Sequence, residues 1–319
     1  MIGIAGVGTY LPPGRESNFD KQEKFQIDPP FIREKLGVET VARMGQGQDS
    51  SDMCVEAFKA LQARRPVDPA TIDCVVVCTQ NPDGNGIPHT SAVVHGKLGL
   101  PERCAAFDIS LGCSGYVYAL SVVKAFMEAQ GLRNGLLFTA DPYSKILDHE
   151  DKNTVLLFGD AATATHLRAP AGDERLWTPV CFAFGTRGKD GAALCNSGGR
   201  LAMNGRAVFA FSATTVPPQV RDLLAGAAIE ASQVDLFLFH QGSRYIVDTL
   251  VQRLGLPPEK VPFEIFQYGN TVSSSIPLLL AVHMDDPGVA RMLMSGFGVG
   301  LSWASCLLER RGATQEDQP

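Results

Sequence analysis

The sequence predicts an α/β protein built from two successive halves. Short apolar runs with strand character alternate with apolar segments that are long enough to form helices. A polar stretch containing Pro and Gly, residues 168–175, separates the two series. With 319 residues, of which 45% are hydrophobic and 19% charged, the chain can bury one large core or two fused cores. We therefore predict domains at residues 1–168 and 173–319.

The predicted strands and helices follow one another in the order typical of this class. The strands are short apolar runs, at residues 3–7, 74–79, 105–109, 135–139, 154–157, 177–184, 236–239, 290–297 and 301–308. The helices lie between them, at residues 51–63, 90–98, 114–129, 217–228, 245–254 and 276–284. The tail, residues 310–319, is expected to fray.

Cys113 lies where an apolar strand turns into an apolar helix. Gly112 and Gly115 flank it closely, so a substrate can approach the thiol. Unpaired backbone N–H groups and the positive end of the helix dipole would favour the thiolate there. For any one of the eight cysteines the usual alternative is a buried side chain that only packs. Two distant segments favour a nucleophile instead.

These two segments carry a histidine and an asparagine. His240 follows the apolar run 236–239, and the carboxyl end of a strand is where α/β proteins present functional side chains. Asn270 follows Gly269 in a turn that leads into an apolar helix, a place where Asn also serves as an ordinary turn or cap residue. Together with Cys113 they predict a nucleophile, a histidine and an amide donor that converge from separate loops.

With these residues in place, the chain resembles the β-ketoacyl-acyl-carrier-protein synthase III family of the thiolase superfamily. The three segments around Cys113, His240 and Asn270 carry the resemblance together with four further blocks in the same order. Those blocks are residues 4–12, 157–162, 203–209 and 296–305, the last being a glycine-rich strand and turn. The resemblance covers almost the whole chain.

The resemblance implies a fold, a reaction and the role of each site residue. The fold is thiolase-like, with two similar halves that each hold a mixed five-stranded sheet in α-β-α-β-α layers. Cys113 would take the acyl group from an acyl thioester, with the backbone N–H groups of Cys113 and Val299 as the oxyanion hole. His240 and Asn270 would stabilise the enolate formed when malonyl-acyl-carrier protein loses carbon dioxide. The product is a 3-oxoacyl thioester.

The resemblance also places substrate-binding residues, several of which depart from the family pattern. Phe31 and Lys35 stand where the family usually has a Trp and an Arg around the adenine of coenzyme A, and Lys152 stands where it usually has an Arg. A Lys cannot stack as an Arg does, which favours donors that are carried on a protein. The remaining assignments are Gly205, within block 203–209, and Arg244, one place before the family's carrier-docking Arg.

Ile87 belongs to a loop, residues 81–90, that resembles the family's loop across a homodimer axis. It takes the place of an aromatic residue that closes the partner's acyl pocket in many relatives. An aliphatic side chain there leaves more room for the acyl chain. The resemblance thus implies a homodimer and an acyl donor longer or more branched than acetyl.

Composition excludes several classes of protein. The longest apolar stretches are shorter than the roughly 20 residues that cross a bilayer, and a net charge of -6 argues against a nucleic-acid partner. No signal-like N-terminal segment is visible, so we expect a cytoplasmic protein without disulfides. Neither His89 with His95 nor Cys74 with Cys78 has the spacing of a metal site. We expect no metal and no resident cofactor, only coenzyme A or carrier-protein thioesters as substrates.

Two other functions stay open from the residues. A related acyltransferase of secondary metabolism could use Cys113 without decarboxylation, and a non-catalytic subunit of a heteromeric synthase could keep the fold alone. The presence of all three site residues argues against the second. Release of carbon dioxide from malonyl substrate would separate the first from the condensing enzyme.

Overall fold

The computed structural model describes residues 1–312, where eight α-helices accompany thirteen β-strands. In chain order they are β1 Gly3–Tyr10, β2 Gly14–Ser17, β3 Thr40–Arg43, β4 Cys74–Cys78, β5 Ala105–Ile109, β6 Asn134–Ala140, β7 Ala162–Arg168, β8 Leu176–Thr186, β9 Leu194–Ser197, β10 Arg200–Met203, β11 Leu236–Phe239, β12 Arg291–Gly298 and β13 Ser302–Arg311. The α-helices are α1 Gln22–Phe25, α2 Ser50–Arg64, α3 Thr90–Leu98, α4 Gly115–Gln130, α5 Lys152–Val155, α6 Gly205–Gly226, α7 Arg244–Leu254 and α8 Ser275–His283.

Nine of these strands form one continuous sheet in the order β11-β12-β13-β8-β1-β7-β6-β4-β5. The first half supplies β5, β4, β6, β7 and β1, and the second supplies β8, β13, β12 and β11 in a matching arrangement. Ile4 of β1 pairs with Trp177 of β8, and this antiparallel contact joins the two halves. The second half thus has four strands in this sheet within residues 1–312, one fewer than the five expected from the resemblance.

Two helices lie between the halves and form the middle layer. Helix α4 contacts β4 and β6 of the first half and β12 and β13 of the second, and α8 contacts β1 and β7 as well as β11 and β12. The side chains of α4 and α8 belong to one buried apolar cluster with Val76 and Met294. Helices α2 and α6 cover the outer faces of the two halves. The α-β-α-β-α layering predicted from the resemblance is confirmed.

Parallel pairing brings the carboxyl ends of the site-bearing strands to one edge. Strands β5 and β6 both run parallel to β4, and β11 runs parallel to β12. Cys113 follows β5, His240 follows β11, and Val299 follows β12. Loops at the carboxyl ends of parallel strands are where α/β folds form their crevices.

One predicted strand is wrong and one predicted helix starts too late, and each difference has a local cause. Residues 154–157 are not a strand, because the Asp151 side chain accepts a hydrogen bond from Asn153 N and starts the short helix α5. The strand of this region is β7, whose alanines gave a weak strand signal. The helix predicted at 217–228 begins twelve residues earlier, where Asn204 caps Ala207 N and α6 continues through Pro217 and Pro218.

The strand pairs β2–β3 and β9–β10 were not predicted from the sequence. The domain boundary proposed at residues 168–173 falls in the connection between β7 and β8. Arg310 and Arg311 belong to β13 rather than to a frayed tail, and residues 313–319 lie outside the described residues. Across the described part of the chain, no helix is long and apolar enough to span a membrane.

Candidate active site

Cys113 lies two residues before α4, in the turn after β5. It is only 3% exposed, and its side chain lines a cavity of about 590 Å³. His240 and Asn270 line the same cavity, so the structure brings together the three side chains that the sequence singled out. They come from three different connections, one in the first half and two in the second.

The expected thiolate at Cys113 is not what the structure favours. Burial raises the pKa of the Cys113 thiol to about 12, while the backbone N–H groups of Val299 and of Cys113 itself act in the opposite direction. The cysteine precedes Ser114, the N-cap of α4, and the helix dipole acts mainly within the first turn. The thiol is therefore protonated at neutral pH, because desolvation outweighs the nearby donors.

The glycine-rich turn after β12 closes on the cysteine. A Cβ atom built at Gly298 would lie 2.8 Å from both Cβ and Sγ of Cys113, a distance that real Cβ atoms do not show. Only glycine lets this backbone approach the sulfur so closely. The approach is what brings the N–H of Val299 to the thiol, beside the N–H of Cys113. These are the two donors that the resemblance assigns to an oxyanion hole.

His240 is held at the carboxyl end of β11 as a neutral ring. It is 2% exposed, and its backbone N–H donates to the Ser295 carbonyl of β12 over 2.9 Å. Burial lowers the pKa of His240 to about 3, and a hydrogen bond with the Val272 backbone acts in the opposite direction. The imidazole is thus uncharged in the physiological range, with Nδ1 2.7 Å from the Ser275 hydroxyl oxygen.

Asn270 is oriented by the backbone two residues later. Its Oδ1 accepts a hydrogen bond from Val272 N over 2.9 Å, which leaves Nδ2 to face His240 Nε2 at 3.5 Å. Val272 is buried and adopts φ 54°, a left-handed conformation that a β-branched residue takes only under constraint. Such strain costs about 1–3 kcal/mol and clusters at functional sites. The structure therefore fixes which end of the carboxamide faces the cavity.

A buried carboxylate braces this loop against the first half. Asp141, which follows β6, accepts hydrogen bonds from Ser273 Oγ over 2.5 Å and from Gln80 N over 2.6 Å. Burial raises the pKa of Asp141 to about 6, since no cation compensates it among its hydrogen-bond partners in residues 1–312. The contact ties the asparagine loop to the ends of β4 and β6.

The outer part of the cavity carries positive charge. Four predicted substrate residues line it, namely Phe31, Lys35, Lys152 and Gly205. The Lys35 ammonium lies over the Phe31 ring, 5.6 Å from its centroid. Both lysines are exposed, and neither forms an ion pair in the described part of the chain. Such free cations suit a phosphate-bearing substrate.

Three residues at this mouth were missed by the sequence reasoning. Arg206 supplies a further exposed cation, and Phe209 stacks on Tyr245 with ring centroids 4.8 Å apart. Arg206 and Phe209 belong to block 203–209, but the orientation of their side chains depends on the start of α6 at Gly205, which was not predicted. Arg244, predicted to bind substrate, is not among the described residues that line the cavity, whereas its neighbour Tyr245 is. The Arg244 guanidinium instead packs over the Phe263 ring, 4.5 Å from its centroid.

Ile87 is separate from the cavity of its own chain. It is 92% exposed, the most exposed of the large apolar side chains in residues 1–312. The loop that carries it is fixed at its base by two hydrogen bonds of Asp83. The Asp83 carboxylate accepts one from Ser51 N, and the Asp83 backbone N–H donates the other to the Thr90 hydroxyl. A rigid loop base with an exposed aliphatic tip fits a residue that acts on another surface.

Comparison with known proteins places these features in one family. The family model for 3-oxoacyl-[acyl-carrier-protein (ACP)] synthase III matches residues 107–188, and the model for the C-terminal part of that synthase matches residues 224–310. The β-ketoacyl-[acyl-carrier-protein] synthase III of Rhodospirillum rubrum is 34% identical, over 96% of this chain and 98% of the relative.

Solved structures agree with the sequence relatives. A crystal structure of a 3-oxoacyl-(acyl-carrier-protein) synthase III has a TM-score of 0.90 and 34% identity, covering 97% of this chain and 99% of that one. The β-ketoacyl-[acyl carrier protein] synthase III of Thermus thermophilus has a TM-score of 0.88 and 30% identity, covering 98% of this chain and 100% of that one. The likeness extends over both halves and the site between them.

Proposed function

The chain belongs to the 3-oxoacyl-acyl-carrier-protein synthase III family, and from this we propose that it is a condensing enzyme of fatty acid synthesis. It is an acyltransferase that forms a 3-oxoacyl thioester by decarboxylative condensation of an acyl thioester with malonyl-acyl-carrier protein. The non-decarboxylating acyltransferase and the non-catalytic subunit are not favoured, because the relatives are named as synthases of this kind. The observation that carries the proposal is the convergence of Cys113, His240 and Asn270 on one cavity.

The first half-reaction is acyl transfer to Cys113. The sulfur attacks the thioester carbonyl, whose oxygen takes up charge beside the N–H groups of Cys113 and Val299. The bond between the acyl carbon and the donor sulfur then breaks. The thiol proton, which burial keeps on Cys113 before substrate binds, leaves with the donor as its free thiol.

The second half-reaction is decarboxylation and carbon–carbon bond formation. Loss of carbon dioxide from the malonyl group leaves an electron pair that becomes an enolate, and His240 Nε2–H and Asn270 Nδ2–H stabilise its oxygen. The carbanion attacks the acyl carbonyl on Cys113, the carbon–sulfur bond breaks, and the departing Cys113 thiolate takes up a proton from solvent, which restores the thiol. A histidine that is neutral at physiological pH can donate this hydrogen bond without removing a proton.

Variants at the two donors test this division of labour. We expect His240→Ala and Asn270→Ala to keep substantial acylation of Cys113 and to lose about 100- to 1,000-fold in malonyl decarboxylation. Acylation is followed with a radiolabelled acyl thioester and peptide mapping, and decarboxylation by release of labelled carbon dioxide. Cys113→Ala serves as the control that carries no acyl group. Near-normal decarboxylation in either donor variant, or label on another cysteine, would refute the proposal.

The donor and carrier enter through the cationic mouth. Lys35, Lys152 and Arg206 line it, and they suit the phosphates of coenzyme A or of a carrier protein's prosthetic group. We propose carrier-bound rather than coenzyme A-bound donors, since Phe31 and the lysines offer less stacking surface than a Trp and an Arg do. The overall charge of -6 opposes an acidic carrier, so docking depends on this local patch.

We propose further that the enzyme is a cytoplasmic homodimer with no resident metal or cofactor. The exposed tip at Ile87 and the edge position of β5 in the sheet offer surfaces that a second copy could cover. All eight cysteines are free thiols, which suits a reducing compartment. The cysteine, histidine and asparagine supply the chemistry of both half-reactions, with the thioesters as substrates.

A further inference from the structure

Ser275 is a buried hydroxyl in contact with the proposed enolate-stabilising histidine. It is the first residue of α8, is 1% exposed, and its Oγ lies 2.7 Å from Nδ1 of His240. The other ring nitrogen, Nε2, faces Asn270 Nδ2 at 3.5 Å. A neutral imidazole carries one N–H, so one of its nitrogens donates and the other accepts. The partner at Nδ1 therefore determines what Nε2 can do.

The hydrogen-bonding capacity of Ser275 distinguishes the two tautomers. Within residues 1–312, His240 Nδ1 is the one hydrogen-bond partner of the Ser275 Oγ atom. If the ring donated from Nδ1, the buried hydroxyl proton would have no acceptor, and an unsatisfied buried donor is unfavourable. If the hydroxyl donates to Nδ1, that proton is satisfied and the ring proton lies on Nε2.

We propose that Ser275 is a positioning residue that holds His240 in its Nε2–H tautomer. This inference rests on the proposed function and deepens it. Val272 N donates a hydrogen bond to Asn270 Oδ1, so the Nδ2 end of the amide is left to donate in the cavity. Ser275 then does for the histidine what Val272 does for the asparagine, and two N–H groups converge on one substrate oxygen. The opposite tautomer, with Nδ1–H directed at Ser275 or at the Val272 backbone, would make Nε2 a proton acceptor.

A direct measurement of the tautomer tests the assignment without the reaction. In full-length protein with ¹⁵N-labelled histidine at neutral pH, the signals of His240 are identified by their loss in His240→Gln. We expect Nε2 to be the protonated nitrogen, Ser275→Ala to shift the ring toward a mixture of tautomers, and Ser275→Thr to keep the wild-type pattern. Protonation at Nδ1 in the wild-type protein would overturn the proposal.

Kinetics of the separate half-reactions supply the second test. We expect Ser275→Ala to slow decarboxylation by about 10- to 100-fold, less than loss of a donor itself, with acylation of Cys113 changed by no more than about twofold. Ser275→Thr restores the rate because it keeps the hydroxyl. The matched control is Ser305→Ala, which deletes a buried hydroxyl that is bonded to the Gln219 and Ser295 side chains and does not line the cavity.

The outcomes separate this proposal from the proposed function. Equal loss of both half-reactions in Ser275→Ala, or equal slowing in Ser305→Ala, means a general packing effect and refutes a positioning role. An Nε2–H ring in a protein that releases no carbon dioxide from malonyl substrate refutes the condensing function and leaves the tautomer assignment standing.

Discussion

At the scale of single residues, the site is governed by burial. Desolvation keeps the proton on Cys113 and keeps it off His240, so both side chains are uncharged near neutral pH. A neutral pair differs from the thiolate–imidazolium pair of many cysteine hydrolases, in which the histidine serves as a base. Here the ring is suited to donate a hydrogen bond to developing negative charge.

The depressed pKa of His240 predicts how stability depends on pH. The unfolded chain binds a proton at this residue near its ordinary value of about 6.5, and the folded chain only near 3. The contribution of neutral His240 to stability is therefore complete above pH 6.5 and is lost as pH falls toward 3. Between pH 6.5 and 5 the loss is about 2 kcal/mol, at about 1.4 kcal/mol per unit.

Urea unfolding of the wild-type protein and of His240→Gln at pH 7.5 and 5.0 measures this loss. The difference in free energy of unfolding between the two proteins isolates His240, because the opposite contribution of Asp141, with its raised pKa, is common to both. We expect the wild-type protein to lose about 2 kcal/mol more than the variant. Equal pH dependence in both proteins would show that His240 titrates normally.

The sequence could predict the chemistry of the residues but not their neighbours. Cys113 and His240 each follow an apolar run, Asn270 stands in a turn that precedes one, and both patterns are visible without coordinates. Ser275 lies in a run of three serines that offers no basis for choosing among them. The thiolate expectation failed because burial of Cys113 depends on the glycine turn of the other half. Side-chain periodicity contains no information on such contacts.

At the scale of elements, turns without regular structure position the proposed catalytic groups. The turn at Gly298 presses on Cys113, and the turn at Val272 is strained so that its N–H meets Asn270. Helix α6 is a regular element whose start could not be predicted from the sequence. The sequence predicted a helix from residue 217, whereas the Asn204 cap begins α6 at the mouth of the cavity and the helix continues through Pro217 and Pro218.

Gly298→Ala tests the first of these turns. Its Cβ would lie 2.8 Å from the Cys113 sulfur, so either the turn or the cysteine has to move. We expect acylation of Cys113 to fall by at least about 100-fold, the range for loss of one oxyanion donor, with the circular dichroism spectrum retained. Gly226→Ala, at the exposed end of α6 with open space around it, is the control. Normal acylation in Gly298→Ala would mean that the turn does not supply the donor.

At the scale of the whole molecule, the surface that matters most is the one at Ile87. An isolated aliphatic side chain that is 92% exposed gains by being covered, and burying one is worth about 1.5–3 kcal/mol. In the proposed homodimer it would close the acyl pocket of the other copy. A pocket closed by an aliphatic side chain rather than an aromatic ring has more room for the donor's chain.

Two variants of Ile87 separate assembly from selectivity. We expect Ile87→Asp to raise the dimer dissociation constant in sedimentation, since it would place a charge in an apolar contact. Ile87→Phe should keep the dimer and shift kcat/KM toward acetyl over hexanoyl and octanoyl donors. Each methylene that the pocket no longer accepts costs about 0.8 kcal/mol. A wild-type maximum at acetyl, or an active monomer in solution, would contradict this role.

The middle layer of α4 and α8 has a consequence for how the protein folds. Each helix packs against strands from both halves, so neither half can bury its share of the apolar cluster before the other has docked. The two halves are therefore not independently stable, although their architectures are similar. Contacts between residues so distant in sequence also slow folding. The chain should unfold as one cooperative unit, and a fragment of residues 1–168 should aggregate. Since Cys113 belongs to one half and His240 and Asn270 to the other, the proposed nucleophile and donors first meet when this docking is complete.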